Sequence, residues 1–336
     1  MQPPELCDSW AMDPELEIDF RAVCARFPAL GEFFSSLGGT SLREVPSPRN
    51  GAGILAKCEW ENPCGSIKDR TAFALLADAL RDVDSAHEVR LLEYSGGNLA
   101  EPLSVLAGSL GIDLSLYLPG WTSKDYAANL RSRGCRVELV ETSRGFLGVV
   151  EQACRHAGRE SGLTFLYQHR NPANCYFHKT TTGAEIVSQL SGIRPDLLVA
   201  SVGTGGTMMG VLMALRQRWP ELRGVVVTPQ ELPYGTLAAP KGERLYAGSG
   251  GVGFGMRQPF VREIEEHVAE FRTVARPAAL YGMLDFFQRT GTRIGSSAAA
   301  NWLSAWEVAA ALRPDQWVVT LFPDAGSRDE WQEITG

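Results

Sequence analysis

The chain contains no CxxC pair, although it holds seven cysteines, Cys7, Cys24, Cys58, Cys64, Cys135, Cys154 and Cys175. An odd count without paired spacing argues against a zinc ribbon or a disulfide framework, so reduced thiols and a cytoplasmic setting are expected. Metal-ligand spacing is also missing from the five histidines, His87, His156, His169, His178 and His267, which read as structural or solvent-facing. No apolar run reaches the length needed to span a bilayer. The opening MQPPELCDSWAMDPELEIDF lacks the positive head and apolar stretch of a signal or transit peptide, so neither is expected. Lys and Arg form no dense cluster, and the net charge is −7. A nucleic-acid partner is therefore disfavoured and small-molecule substrates are expected.

What is present is the composition of an ordinary globular protein, 336 residues with 44% hydrophobic and 21% charged. From about residue 53, short β-rich runs alternate with segments of helical period: GILAKCEW, TAFALLADALRDV, RLLEYS, LAEPLSVLAGSLG and LSLYLP, and onward through LLVASVG, TMMGVLMALRQRW and RGVVVTP. This βαβα order predicts an α/β fold with parallel sheets, because parallel strands need helical crossovers. The stretch 234–260 is glycine-rich and aperiodic and reads as a loop wrapped around a site. After it, RPAALYGMLDFFQRTG and SSAAANWLSAWEVAAALR resume helices and QWVVTLFPD closes with a strand. There is no internal repeat, low-complexity tract or flexible linker.

Three turns fall at strand-to-helix junctions. Gly203-Thr204-Gly205-Gly206-Thr207 lies between the apolar LLVAS and a helical run, where unscreened backbone N–H groups at a helix N-terminus cradle a phosphate. It lacks the Lys-Ser/Thr ending of a nucleotide P-loop and is not GxGxxG, and a tight turn without a ligand is the alternative. Ser95-Gly96-Gly97-Asn98 follows RLLEY and either presents amides to an anion such as a carboxylate or caps a helix. Lys68, in NPCGSIKDR, starts an amphipathic helix; the helix N-terminus disfavours its ammonium and so favours the neutral amine of imine chemistry. The alternative is a surface lysine paired with Asp69 or Glu61. Together the three turns describe a crevice at the carboxyl ends of parallel strands.

The ordered set GGTSL (38–42), NPCGSIKDR (62–70), SGGN (95–98), QHRNPAN (168–174), TTGAEI (181–186), GTGGT (203–207), GVGFG (251–255), GSS (295–297) and PDAG (323–326) resembles the cysteine synthase and cystathionine β-synthase family. That resemblance spans roughly residues 37 to 328 and implies a fold-type II pyridoxal-phosphate enzyme, a homodimer with the two-lobed, three-layer fold of the tryptophan synthase β-subunit kind. The implied division is an extension and first segment, 1–52, packing on the C-terminal lobe, a smaller N-terminal lobe, 53–166, and a larger cofactor-binding lobe, 167–336.

Residue by residue, the resemblance implies that Lys68 carries pyridoxal 5'-phosphate as a Schiff base and serves as the base at Cα. It implies that Gly203, Thr204, Gly205, Gly206 and Thr207 hold the cofactor phosphate and that Asn98 bonds the ring hydroxyl oxygen. Ser95, Gly96, Gly97 and Leu99 occupy the loop that grips the substrate carboxylate, and Gln168 matches a second carboxylate contact. The reaction implied is β-replacement on an activated serine through an aminoacrylate.

Three departures modify this expectation. The carboxylate loop, usually Thr-Ser-Gly-Asn-Thr, is Ser95-Gly96-Gly97-Asn98-Leu99, which loses two hydroxyls. The serine that partners the pyridine nitrogen aligns with Ala325, which has no donor or acceptor side chain, so the nitrogen is expected to stay unprotonated, with Asp324 a cap or turn residue. Arg170, Arg257 and Arg293 are either grips for an anionic group or ordinary salt-bridged arginines. The altered loop points to a non-standard β-substituted alanine, such as 2,3-diaminopropionate, made from O-acetyl- or O-phosphoserine. The alternatives are a cysteine or cystathionine synthase, a serine/threonine dehydratase-type eliminating enzyme and, outside catalysis, a binding or regulatory subunit.

Overall fold

The computed structural model describes residues 18–249 and 254–335, so the first part of the GVGFG motif, 251–253, and the N-terminal stretch before Ile18 lie outside the described residues. The chain divides into two compact units, one of residues 18–37, 68–174 and 239–243, the other of 38–67, 175–238 and 244–335.

Among the described residues the strands, numbered in chain order, are β1 Leu42–Val45, β2 Gly53–Cys58, β3 Arg90–Tyr94, β4 Asp113–Pro119, β5 Arg136–Val140, β6 Thr164–Phe165, β7 Leu197–Ser201, β8 Arg223–Pro229, β9 Val268–Val274 and β10 Trp317–Phe322. In the first unit they form a parallel sheet in the order β5-β4-β3-β6. Strand β3 is buried along Leu91–Tyr94, as expected of a parallel strand covered on both faces. The helix Lys68–Ala79 belongs to this unit and is buried from Asp69 to Ala77. Phe73 on that helix is fully buried and stacks on Phe34 with ring centroids 4.9 Å apart.

The second unit carries a six-stranded sheet in the order β1-β2-β10-β7-β8-β9. Only β1 runs antiparallel, against β2, and the other neighbours are parallel. The alanine-rich helix Ser296–Ala310 buries Ala298, Ala299 and Trp302 in a core shared with Phe286 and Phe322. Small side chains let that helix lie close to the sheet, while the aromatic rings fill the remaining volume.

The α/β class with parallel sheets agrees with the sequence reading, whereas the lobe boundaries fall elsewhere. Strand β2 was grouped with the 53–166 lobe, yet it pairs in register with β10 from Gly53–Trp317 to Cys58–Phe322 and so belongs to the larger sheet. The helices Phe20–Arg26 and Pro28–Ser36 were expected on the C-terminal lobe, but their rings Phe20 and Phe34 pack on Phe73 of the first unit. A final helix, Arg328–Thr335, follows the strand that the sequence reading placed last. Strand β9 escaped the periodicity because it is an edge strand with exposed residues Ala269, Glu270 and Phe271.

Candidate active site

In the second unit, β2, β10 and β7 are consecutive parallel neighbours, and each leads at its carboxyl end into a motif picked out by sequence. Beyond β7, Gly203–Gly205 turn the chain into the helix Gly206–Arg218. Gly205 adopts φ +90°, and a Cβ there would meet Val261 Cγ2 at 2.6 Å, so only glycine fits. A Cβ on Gly203 would lie 2.6 Å from the Gly248 carbonyl oxygen. The Gly206 N–H donates to Thr204 Oγ1 at 3.2 Å, and Thr207 Oγ1 lies 3.2 Å from His178 Nε2, whose ring is fixed in turn by Thr182. A bare-backbone cradle at the head of a thirteen-residue helix fits a phosphate, since first-turn N–H groups lack intrahelical partners and the helix dipole favours an anion.

Beyond β10, the PDAG turn is fixed by its own carboxylate. Asp324 Oδ1 accepts from the Gly326 N–H at 2.8 Å, and the Asp324 carbonyl accepts from Gly295 at 3.0 Å, so Asp324 is the turn residue expected. Ala325 is partly exposed, and its carbonyl accepts from Trp331 Nε1 at 2.8 Å.

The segment after β2 ends on the same turn: the Ile67 N–H donates to the Pro323 carbonyl at 2.8 Å, and Ser66 forms a bridge with Asp324. Lys68 follows directly in the chain, as first residue of its helix and only partly buried. Two lysines thus flank the motif, and they differ. Lys57 is fully buried, with Nζ donating to Thr40 O, Glu185 and Gln189 at 2.5, 2.7 and 2.9 Å, a structural ammonium with every proton placed. The ordinary surface pair for Lys68 loses one candidate, because Glu61 is taken by Arg43 and Ser41.

In the first unit, the loop after β3 is held by internal bonds. Ser95 Oγ both donates to the Gly97 carbonyl and accepts from the Gly97 N–H at 3.0 Å, and Tyr126 donates to the same carbonyl at 3.1 Å. Gly96 is exposed, and Gly97 and Asn98 are partly so. Leu99 is 2% exposed, so its side chain packs inward and only its backbone faces the loop.

Gln168 is also buried, and its amide donates to the Tyr94 carbonyl at 2.7 Å and to Glu93 Oε1 at 3.2 Å. Both amide protons are therefore committed in this conformation, leaving an acceptor oxygen. Burial pushes the Glu93 carboxyl up to about 8 despite hydrogen bonds from Tyr94 and Gln168.

Beside Gln168, His169 Nδ1 lies 2.5 Å from the Tyr94 hydroxyl, with the rings stacked at 5.5 Å. Burial, and then the charges of Lys68 and Arg170, hold the imidazole down to about 3. The sequence reading passed over Glu93 and took His169 as structural or solvent-facing. The one usable signal was a carboxylate within the apolar run RLLEY. The arginines resolve differently: Arg257 pairs with Glu265 at 3.0 Å, Arg293 sits 5.0 Å over Trp331, and Arg170 lies 5.9 Å over Tyr167. Among the described residues no His, Cys, Asp and Glu group could hold a metal ion, and no helix is long and apolar enough to cross a membrane.

In an α/β fold, a bare-backbone cradle at a helix head suits the phosphate of a small-molecule cofactor. The pattern of the pyridoxal-phosphate dependent enzyme family, PALP, matches residues 34–324, and the chain belongs to that family. It is 29% identical over 296 residues to a cysteine synthase of Staphylococcus aureus (strain Mu50), covering 87% of this chain and 93% of that protein. The fold is similar to that of the O-acetylserine dependent cystathionine β-synthase of Helicobacter pylori, with TM-score 0.79 and 24% identity over 90% of this chain and 96% of that one. It is also similar to an O-ureido-L-serine synthase, with TM-score 0.77 and 23% identity over 90% of this chain and 98% of that one.

Proposed function

We propose that the chain replaces the Cβ substituent of an activated L-serine, O-acetyl- or O-phosphoserine, and makes a non-standard β-substituted alanine such as 2,3-diaminopropionate. The observation that carries this reading is the loop Ser95–Leu99: Gly96 has no hydroxyl, Leu99 is buried, and the Ser95 hydroxyl is spent on Gly97. The S. aureus relative supports β-replacement by its name. O-ureido-L-serine is itself a β-substituted alanine, so a synthase of this fold serves such products.

Pyridoxal phosphate, when bound, supplies an electron sink that acidifies Cα and lets the Cβ substituent leave. Lys68 is the residue that holds it covalently, and its freed amine takes the Cα proton and later returns it. The N–H groups of Gly203–Thr207 hold the phosphate and Asn98 the ring oxygen. The backbone of Ser95–Leu99 binds the substrate carboxylate, with Gln168 behind that loop. Ala325 gives the ring nitrogen no hydroxyl partner, which favours loss of a Cβ group over reactions that store charge in the ring. Homodimerisation in the cytoplasm belongs to the same reading, and sedimentation at micromolar concentration tests the dimer.

Product analysis with O-acetyl- and O-phosphoserine tests the function. The expected result is an amino acid that retains nitrogen and carries a new Cβ bond, with ammonia or an amine as acceptor. Cysteine formed from sulfide at higher kcat/KM would favour a cysteine synthase, and pyruvate with ammonia would make the chain an eliminating enzyme.

A further inference from the structure

Within the first unit, the helix that begins at Lys68 is tied twice to the turn 167–174. Thr71 Oγ1 reaches Asn174 Oδ1 at 3.4 Å while Asn174 Nδ2 donates to the Gln168 carbonyl at 2.9 Å, and Asn171 Nδ2 donates to Asp78 at 2.8 Å. Gln168 and His169 are thereby held to the helix that Lys68 opens. The turn is made by Tyr167 at φ +48°, a left-handed conformation that is costly for a bulky residue. That conformation sends Gln168 in toward Glu93 and His169 onto Tyr94.

The pair has a defined proton arrangement. Tyr94 is fully buried, which raises its phenol far above the ordinary range, so it remains the donor to His169 Nδ1. The neutral ring then carries its proton on Nε2. Among the described residues no group bonds that Nε2, and His169 is partly exposed. A donor that burial keeps neutral suits an oxygen that gains negative charge during reaction.

We propose that His169, aligned by Tyr94, is a further substrate-binding residue whose Nε2–H donates to an oxygen of the acyl or phosphoryl group that leaves Cβ. The Cβ–O bond breaks with its electron pair passing to that oxygen; the hydrogen bond stabilises the departing anion, and the proton stays on His169. This rests on the β-replacement reading above and names the residue that favours an oxygen leaving group.

The test compares O-acetyl-L-serine with 3-chloro-L-alanine, whose leaving chloride carries no oxygen, on the holoenzyme and its His169→Phe, His169→Gln and Tyr94→Phe variants. His169→Phe is expected to lower kcat/KM for O-acetylserine roughly 10²-fold, the loss of one donor to a developing anion. The chloro donor should fall much less, and glutamine should restore part of the difference. Tyr94→Phe leaves Nδ1 without its donor and the ring unaligned, so kcat/KM for O-acetylserine should fall while that for 3-chloro-L-alanine changes much less. Equal losses for both donors, or none for either, would overturn the assignment. Wild-type enzyme that turns over neither donor would refute the β-replacement reading, and the assignment with it.

Discussion

At the carboxyl end of β7 the proposed binding groups are backbone amides; at the carboxyl end of β3 the proposed ones depend on side chains brought from distant parts of the chain. The cradle 203–207 is set by local geometry, a left-handed Gly205 and a helix that starts one residue later. The loop 95–99 is set by Ser95, Tyr126 and Phe146 around it, with Glu93, Gln168 and His169 behind it. A cradle of backbone tolerates no side chain but recognises any phosphate, which suits a fixed cofactor. Side chains on a turn vary without loss of the fold, which suits a changing substrate.

Changes at the cofactor end should therefore be severe and indifferent to substrate. Replacing Lys68 by alanine is expected to cost at least ~10³-fold in turnover of every donor, since it removes both covalent attachment and the base. Gly205→Ala comes next: strain of about 1–3 kcal/mol should weaken cofactor binding on the order of 10-fold or more, measured by titrating the apo-enzyme.

Changes behind the substrate loop should be milder and more selective. The folded Glu93 holds a proton that the unfolded chain releases above 4.5, so stability falls as pH rises from about 4.5 to about 8. Glu93→Gln should flatten that slope in thermal unfolding, where each kcal/mol moves Tm by about 1–2 °C in a chain of this length. Restoring a hydroxyl with Gly96→Ser should lower KM for O-acetylserine by a factor of about 3, one modest hydrogen bond, while kcat holds. A Cβ at Gly96 meets only the Phe146 ring at 3.4 Å, so the serine fits. A larger effect of Gly96→Ser than of Gly205→Ala on cofactor affinity would break the comparison.

The same contrast explains what was legible in the sequence. The Gly203–Thr207 loop reads directly, because glycine spacing after an apolar strand is a local property. The helix that Lys68 opens was legible through NPCGSIKDR, and the parallel strands through their buried apolar runs. Strand β2 was misassigned because its pairing with β10 joins Gly53 to Trp317, a partner no local window contains. His169 was read only as structural or solvent-facing for the same reason: its partner is Tyr94, 75 residues away. The exposed edge strand β9 and the terminal helix lacked the apolar signal that betrays an element.

The central claim is that Lys68 binds pyridoxal phosphate for attack on an activated serine, and the absorption spectrum of the purified holoenzyme tests it most directly. The account predicts a cofactor–lysine band in the wild type that is absent in Lys68→Ala, and a shift of that band on adding O-acetyl- or O-phosphoserine but not serine. The same band in Lys68→Ala, or a wild-type band that neither activated serine moves, would contradict it.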